Sequence, residues 1–108
     1  HKFTIPNGLY NSNNLIQDIQ NLILLSCPEL NIFLNEKNHV VIKNENVKEF
    51  ELITNINNSI LPQLGFIRNS YKKRNTYTSE KKCKITDSGI IFLYMPDMYF
   101  KKNAAKIK

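Results

Sequence analysis

The chain has 108 residues, 42% of them hydrophobic and 22% charged, and a formal charge of +6 at neutral pH. A domain of this length buries a core without covalent staples, and this apolar content excludes wholesale disorder. Two cysteines, Cys27 and Cys83, stand far apart with no second Cys or His at ligand spacing, so neither a zinc site nor a disulfide framework is implied.

"KFTI" alternates polar and apolar residues and stops at Pro6, as a short strand does on meeting a residue that cannot donate to a ladder. "PNG" predicts a turn in which Asn7 and Gly8 carry positive φ and reverse the chain, with Tyr10 closing the corner. Asn11, Ser12 and Asn14 are competent N-caps, and Asn14 with Gln17 has the spacing of a capping box. Leu15, Ile16, Ile19, Leu22, Ile23 and Ser26 share one face at helical spacing, Gln17, Gln20 and Asn21 another, and Pro28 stops the helix. Burying the aliphatic side chains of the first face is worth about 7–15 kcal/mol gross, so this helix must lie on an apolar surface.

"LNIFL" and "HVVIK", joined by "NEKN", predict a β-hairpin. "KEFELIT" alternates with Phe50 and Leu52 on one side and reads as the third strand of a meander. "NNSILPQLGF" predicts a short helical turn capped by Asn58 or Ser59. Pro62 falls in its first turn, Gly65 is its left-handed C-cap residue, and Phe66 folds back on Leu61. From Ile67 to Thr78 "IRNSYKKRNTYT" is polar, basic and aperiodic, which predicts a long exposed loop. "KKCKIT" and "GIIFLYM", split by "DSG", predict a second hairpin in which the continuous apolar run is a central strand; Pro96 breaks it and "DMYF" resumes it. The fold class that follows is α+β, a mainly antiparallel sheet with one long helix packed on a face and a second short helix. Residues 1–100 form a single α+β domain in this reading, and residues 101–108 a basic C-terminal tail.

Charge is unevenly placed. Residues 1–66 hold four basic and six acidic side chains, residues 67–108 eleven and three, so any anionic partner is met by the C-terminal part. The candidate contact residues there are Arg68, Lys72, Lys73, Arg74, Lys81 and Lys82, with Lys84 beside them, Tyr71 and Tyr77 interleaved and only Glu80 opposing. Cations neutralise phosphates and rings stack on bases, so one reading is contact with nucleic acid, non-specific for want of an RRM, KH or OB signature. The other, and the expectation here, is a solvated connection or a rim for protein contact.

Chemistry-bearing motifs are missing: there is no P-loop, G-x-G-x-x-G, G-x-S-x-G or H-E-x-x-H. His39 sits in a predicted strand with no nearby Cys, Glu49 and Glu51 lie on one strand face without a positioned base, and Asp87 in "TDSG" reads as a turn residue. Asn57 in "NNS" fits the glycosylation pattern, an accidental match in an Asn-rich chain. No catalytic, cofactor-binding or metal-ligating residue is assigned. "LILL", the longest aliphatic run, falls far short of the ~20 residues a membrane span needs, and "HKFTIP" has no signal- or transit-peptide pattern. His1 at the start indicates a processed chain, a tag remnant or a piece of something longer.

The pieces "FTIPNGLYNSNNLIQDIQ", "LNIFLNEKNHVVIKN", "SILPQLGF" and "GIIFLYM", residues 3 to about 100 together, resemble a module in structural proteins of DNA viruses. These are the virophages, the polinton-like viruses and their giant-virus and transposon relatives. That module opens with an apolar strand, a P-x-G-x-Y turn and a capped helix of the form L-I-x-x-I-N. A hairpin and a short helix ending in L-G-F follow. The chain departs from the pattern at Gln20, where Asn is usual, and in the basic segment after Phe66. The resemblance implies a non-enzymatic virion structural or capsid-associated protein. It would act through other protein subunits, capsid proteins or its own copies, in the virion or host cytoplasm. The alternatives are a small basic domain binding nucleic acid through residues 68–84, and a cellular protein-interaction module.

Overall fold

In a computed structural model, which describes residues 2–46, 48–83, 91–93 and 95–102 (backbone only at 91, 92 and 102), the chain is α+β and mainly antiparallel sheet. The first half runs β1 (Lys2–Thr4), β2 (Gly8–Tyr10), α1 (Ser12–Ser26), β3 (Leu30–Leu34), β4 (His39–Asn44) and β5 (Phe50–Leu52). The second runs α2 (Leu61–Leu64), β6 (Tyr71–Arg74), β7 (Thr76–Lys82), β8 (Ile91–Leu93) and β9 (Asp97–Lys102).

The opening stretch is a kink, not a reversal. Lys2 faces Tyr99 in β1–β9, and Gly8 faces Leu93 with the same offset in β2–β8. The two pairs are therefore one antiparallel ribbon, interrupted where Pro6 and Pro96 remove donors from facing strands. The Ile5 N–H still reaches the Pro96 carbonyl at 2.8 Å. Positive φ is found at neither Asn7 nor Gly8; it falls instead on the facing strand, at Met95 (φ +43°) beside Pro96, so the kink is made by both strands. Tyr10 does close the corner, its phenol donating to the Pro6 carbonyl at 2.8 Å.

Helix α1 begins one turn earlier than the predicted box. Asn11 is the N-cap, and Asn11 and Asn14 exchange side-chain-to-backbone bonds of 2.9 Å in each direction. Leu15, Ile16, Ile19 and Ile23 are buried, Leu22 is half-buried and Ser26 is exposed. Gln20, expected on the outer face, instead reaches β3. Its Oε1 accepts from the Ile32 N–H at 2.7 Å, and its Nε2 donates to the Leu30 carbonyl at 3.4 Å. Since β3 is the edge of the sheet β3-β4-β7, one amide covers backbone groups that an open edge would leave for another strand.

The β3–β4 hairpin forms as predicted, but the meander does not. The other neighbour of β4 is β7, while β5 lies between β9 and β6 in the sheet β1-β9-β5-β6. Alternation correctly placed Phe50 and Leu52 inward; it selects a face and does not select a partner. Most of the predicted loop at 67–78 is strand. β6 and β7, separated by Asn75, make one bent strand that pairs with β5 in one sheet and β4 in the other. A bulge hides its period: Lys72 and Lys73 together oppose Glu51, with Lys73 at φ +64°. The interior strands of the larger sheet are β5 and β9, the latter from "DMYF", and β8 pairs with β2 in a two-stranded ribbon. The predicted "DSG" turn, Asp87 and Lys84 lie outside the described residues, as do residues 103–108; β9 itself runs through Lys102.

In α2 the cap residue is Ile60 rather than Asn58 or Ser59, although Ser59 Oγ accepts from the Leu61 N–H at 3.1 Å. Gly65 caps the C-terminus at φ +97°, and the Phe66 N–H returns to the Leu61 carbonyl at 3.0 Å. A Cβ on Gly65 would stand 2.1 Å from the Lys81 carbonyl oxygen, because β7 docks against this cap. Through the core, Phe66, Tyr71, Tyr77, Phe50, Phe100 and Phe3 touch in succession, with ring centroids 5.0–6.5 Å apart.

Candidate functional site

The bent strand 71–82 carries five of the six candidate cations, Lys72, Lys73, Arg74, Lys81 and Lys82, and two tyrosines fix its shape. "RNSY" and "RNTY" are a repeat at six-residue spacing, and the structure gives both copies the same geometry. The Arg68 N–H donates to the Tyr71 phenol at 2.9 Å, and the Arg74 N–H to the Tyr77 phenol at 3.2 Å. Each phenol then donates onward, Tyr71 to Glu80 Oε1 and Tyr77 to the Phe50 carbonyl. Glu80 Oε1 also accepts the Ile67 N–H at 3.2 Å, which ties the segment before β6 to the middle of β7.

Both rings are buried, at 3% exposure for Tyr71 and 5% for Tyr77, so neither offers a face on which a base could stack. This corrects their expected role as exposed contacts. Inside the core, removal from water and then the bond to Glu80 push the Tyr71 phenol up to about 12. Burial also raises Tyr77, against the opposing pull of the Arg74 N–H. At neutral pH both are fixed O–H donors.

Arg68, Lys72 and Arg74 come together around a polar groove of about 160 Å³, floored by the two tyrosines and shared with Glu80. The Arg68 guanidinium carbon lies 6.0 Å from the Tyr71 ring centroid. Lys72 Nζ sits 3.9 Å from Glu51, a half-exposed pair that contributes little. Lys73 does not line this groove; with Arg74 it borders a separate hollow beside Glu49. Lys81 and Lys82 are exposed at the far end of β7, where the Lys81 N–H bonds the Gly65 carbonyl and Lys82 pairs with His39. The expected cluster is thus split, and half of it converges.

Sequence reasoning missed the apolar neighbour of this groove. Leu61, Pro62, Phe66 and Ile67 line a surface cavity of about 550 Å³, and Arg68 borders both hollows. Ile67 is 53% exposed there. The signal that could have found the arrangement is the repeat itself. Two tyrosines six apart, each three after an arginine, are regular where the intervening lysines are not.

His39, half-buried, donates from Nδ1 to the Ser79 carbonyl at 2.8 Å. Beside it the Ser79 hydroxyl accepts from the Val40 N–H at 2.9 Å and donates to the Lys81 carbonyl at 2.6 Å, filling the bulge where β4 and β7 lose register. No helix among the described residues is long and apolar enough to cross a membrane. No family model, curated protein or solved structure matches the chain.

Proposed function

We propose that the chain is a non-enzymatic structural module that works by protein–protein contact, of the virion or capsid-associated kind that its sequence pattern resembles. The observation that carries this reading is what the pattern residues do. Tyr10 locks the kink at Pro6, Asn11 and Asn14 cap α1, and Gly65 seats β7. Where the chain departs from the pattern, Gln20 keeps a primary amide, and that amide covers the β3 edge. All of these residues maintain shape. A pattern that preserves corners and a covered edge suits a protein whose product is a surface.

The edges of β1 and β6, which have no neighbouring strand among the described residues, and exposed Leu24 and Leu25 at 48% and 83%, give that surface places to meet other subunits. The alternative, sequence-independent nucleic-acid binding, has lost its stacking platform and keeps only phosphate contacts from exposed cations. Size-exclusion chromatography with light scattering separates the two. The proposal expects a mass that rises above one chain as concentration increases. A chain that stays monomeric and binds oligonucleotides with a steep salt dependence would replace it with the alternative.

A further inference from the structure

We infer that the paired hollows around Arg68 are a docking site for an acidic segment of another protein that carries an apolar anchor residue. The inference rests on the protein-contact reading above and names its partner chemistry. Ile67 and Arg68, adjacent in the chain, present an exposed aliphatic side chain and a guanidinium to neighbouring hollows. The first hollow, about 550 Å³, has Leu61, Pro62, Phe66 and Ile67 on an apolar wall and polar Thr54, Asn55 and Asn69 beside it, so it has room for a bulky apolar side chain together with flanking residues of its segment. The second gathers Arg68, Lys72 and Arg74 around Glu80, whose Oε1 accepts from the Tyr71 phenol and the Ile67 N–H, while Lys72 also faces Glu51. Neither Arg68 nor Arg74 forms an ion pair among the described residues. Two guanidinium forks without an ion pair among the described residues, beside an apolar wall, complement a carboxylate next to a large apolar side chain.

A nucleic-acid strand fits less well. Its bases find no ring to stack on at these hollows, since Phe66, Tyr71 and Tyr77 are all buried. A second copy of the chain would have to bring an acidic surface from residues 1–66, where the net charge is only slightly negative.

Fluorescence polarisation on the full chain tests this with four labelled probes. They are a peptide of one phenylalanine flanked by glutamates, its phenylalanine-to-serine analogue, its glutamate-to-glutamine analogue, and an oligothymidylate. The acidic phenylalanine peptide should bind about tenfold or more tighter than each other probe near physiological salt. Arg68→Gln and Ile67→Asn, both at exposed side chains, should each weaken it by a similar factor while leaving the thermal melt in place. Equal binding of either analogue, tighter binding of the oligothymidylate, or no binding at all would overturn the inference. So would an Ile67→Asn variant that turns an oligomer into a monomer, because a second copy would then be the occupant. A chain that self-associates yet ignores the peptides removes this inference and leaves the broader proposal standing; one that does neither removes both.

Discussion

The helix-and-hairpin region, residues 11–44, and the bent strand with the residues leading into it, 68–82, both have backbone groups that regular structure leaves unpaired, and they satisfy them with different chemistry. The first uses amides. Asn11 and Asn14 close the start of α1, and Gln20 covers the edge of β3. The second uses phenols, with Tyr71 and Tyr77 each taking an arginine N–H and passing a hydrogen bond onward. An exposed amide can be replaced by water, so its loss is cheap. A buried phenol is also a core ring, so removing it opens a cavity and strands its partners together. The bent strand should therefore be the more fragile of the two regions, although its sequence is the more polar.

Tyr77→Ala should give the largest effect. The ring contacts Phe50 at 5.0 Å and Tyr71 at 5.6 Å, and its truncation should cost about 3–5 kcal/mol, enough to unfold many domains of this size. Tyr77→Phe keeps the ring and loses only the hydroxyl between Arg74 and Phe50, which should cost about 1–3 kcal/mol. Urea titrations that rank the two variants equally would mean that the ring, and not the bond, is irrelevant. Gly65→Val falls between them. It combines a φ of +97° with a Cβ 2.1 Å from a backbone oxygen, so β7 must leave its seat. A melting temperature unchanged by this substitution would show that the seat does not matter.

The phenol bonds can also be weakened without mutation. The folded Tyr71 phenol is raised from 10.0 to about 12, so its contribution to stability is complete below pH 10 and is lost as pH climbs toward 12. Above pH 10 the unfolded chain has released a proton that the folded chain still holds, and this fixes the sign. Tyr71→Phe should flatten that part of the alkaline stability curve. If the variant and the parent fall in parallel, the alkaline loss belongs to other groups.

These differences also explain what could be read in advance. In α1 the signal was redundant, with apolar residues at helical spacing, caps ahead (the observed Asn11 among them) and Pro28 behind, and the capping box, Gln20 and Ser26 were misplaced. Gln20 was unreadable because a helical wheel separates apolar from polar positions, whereas the β3 edge makes a polar contact with a position on the flank. Around Pro6, "PNG" looked like turn chemistry, but a second proline, Pro96, lay opposite on a strand 90 residues away, and no local reading joins them. In the bent strand the bulge at Lys73 broke the period of two, and the lysines outside it concealed the tyrosines within. The site was half legible for the same reason. Charge located the segment, while the apolar hollow beside it depends on α2 and the 54–55 stretch folding against Ile67.

Gln20 offers the smallest effect and the sharpest test of the comparison. Gln20→Ala removes an acceptor from the Ile32 N–H and a donor from the Leu30 carbonyl, both at a half-buried edge that water can reach. The loss in global stability should be about 0.5–1.5 kcal/mol, below that of Tyr77→Phe. The local consequence should be larger than the global one. With the amide gone, the Ile32 N–H faces solvent on an unpaired edge, so its hydrogen exchange should accelerate while amides of β4 and β9 keep their protection. The uncovered strand should also make the chain more prone to edge-to-edge association. Gln20→Glu sharpens the test further: it keeps an acceptor for Ile32 but sets a carboxylate oxygen against the Leu30 carbonyl, so protection at Ile32 should survive and the rest of the contact should weaken. Unchanged exchange at Ile32 in Gln20→Ala would mean that the amide does not guard the edge, and the two regions would then differ only in burial.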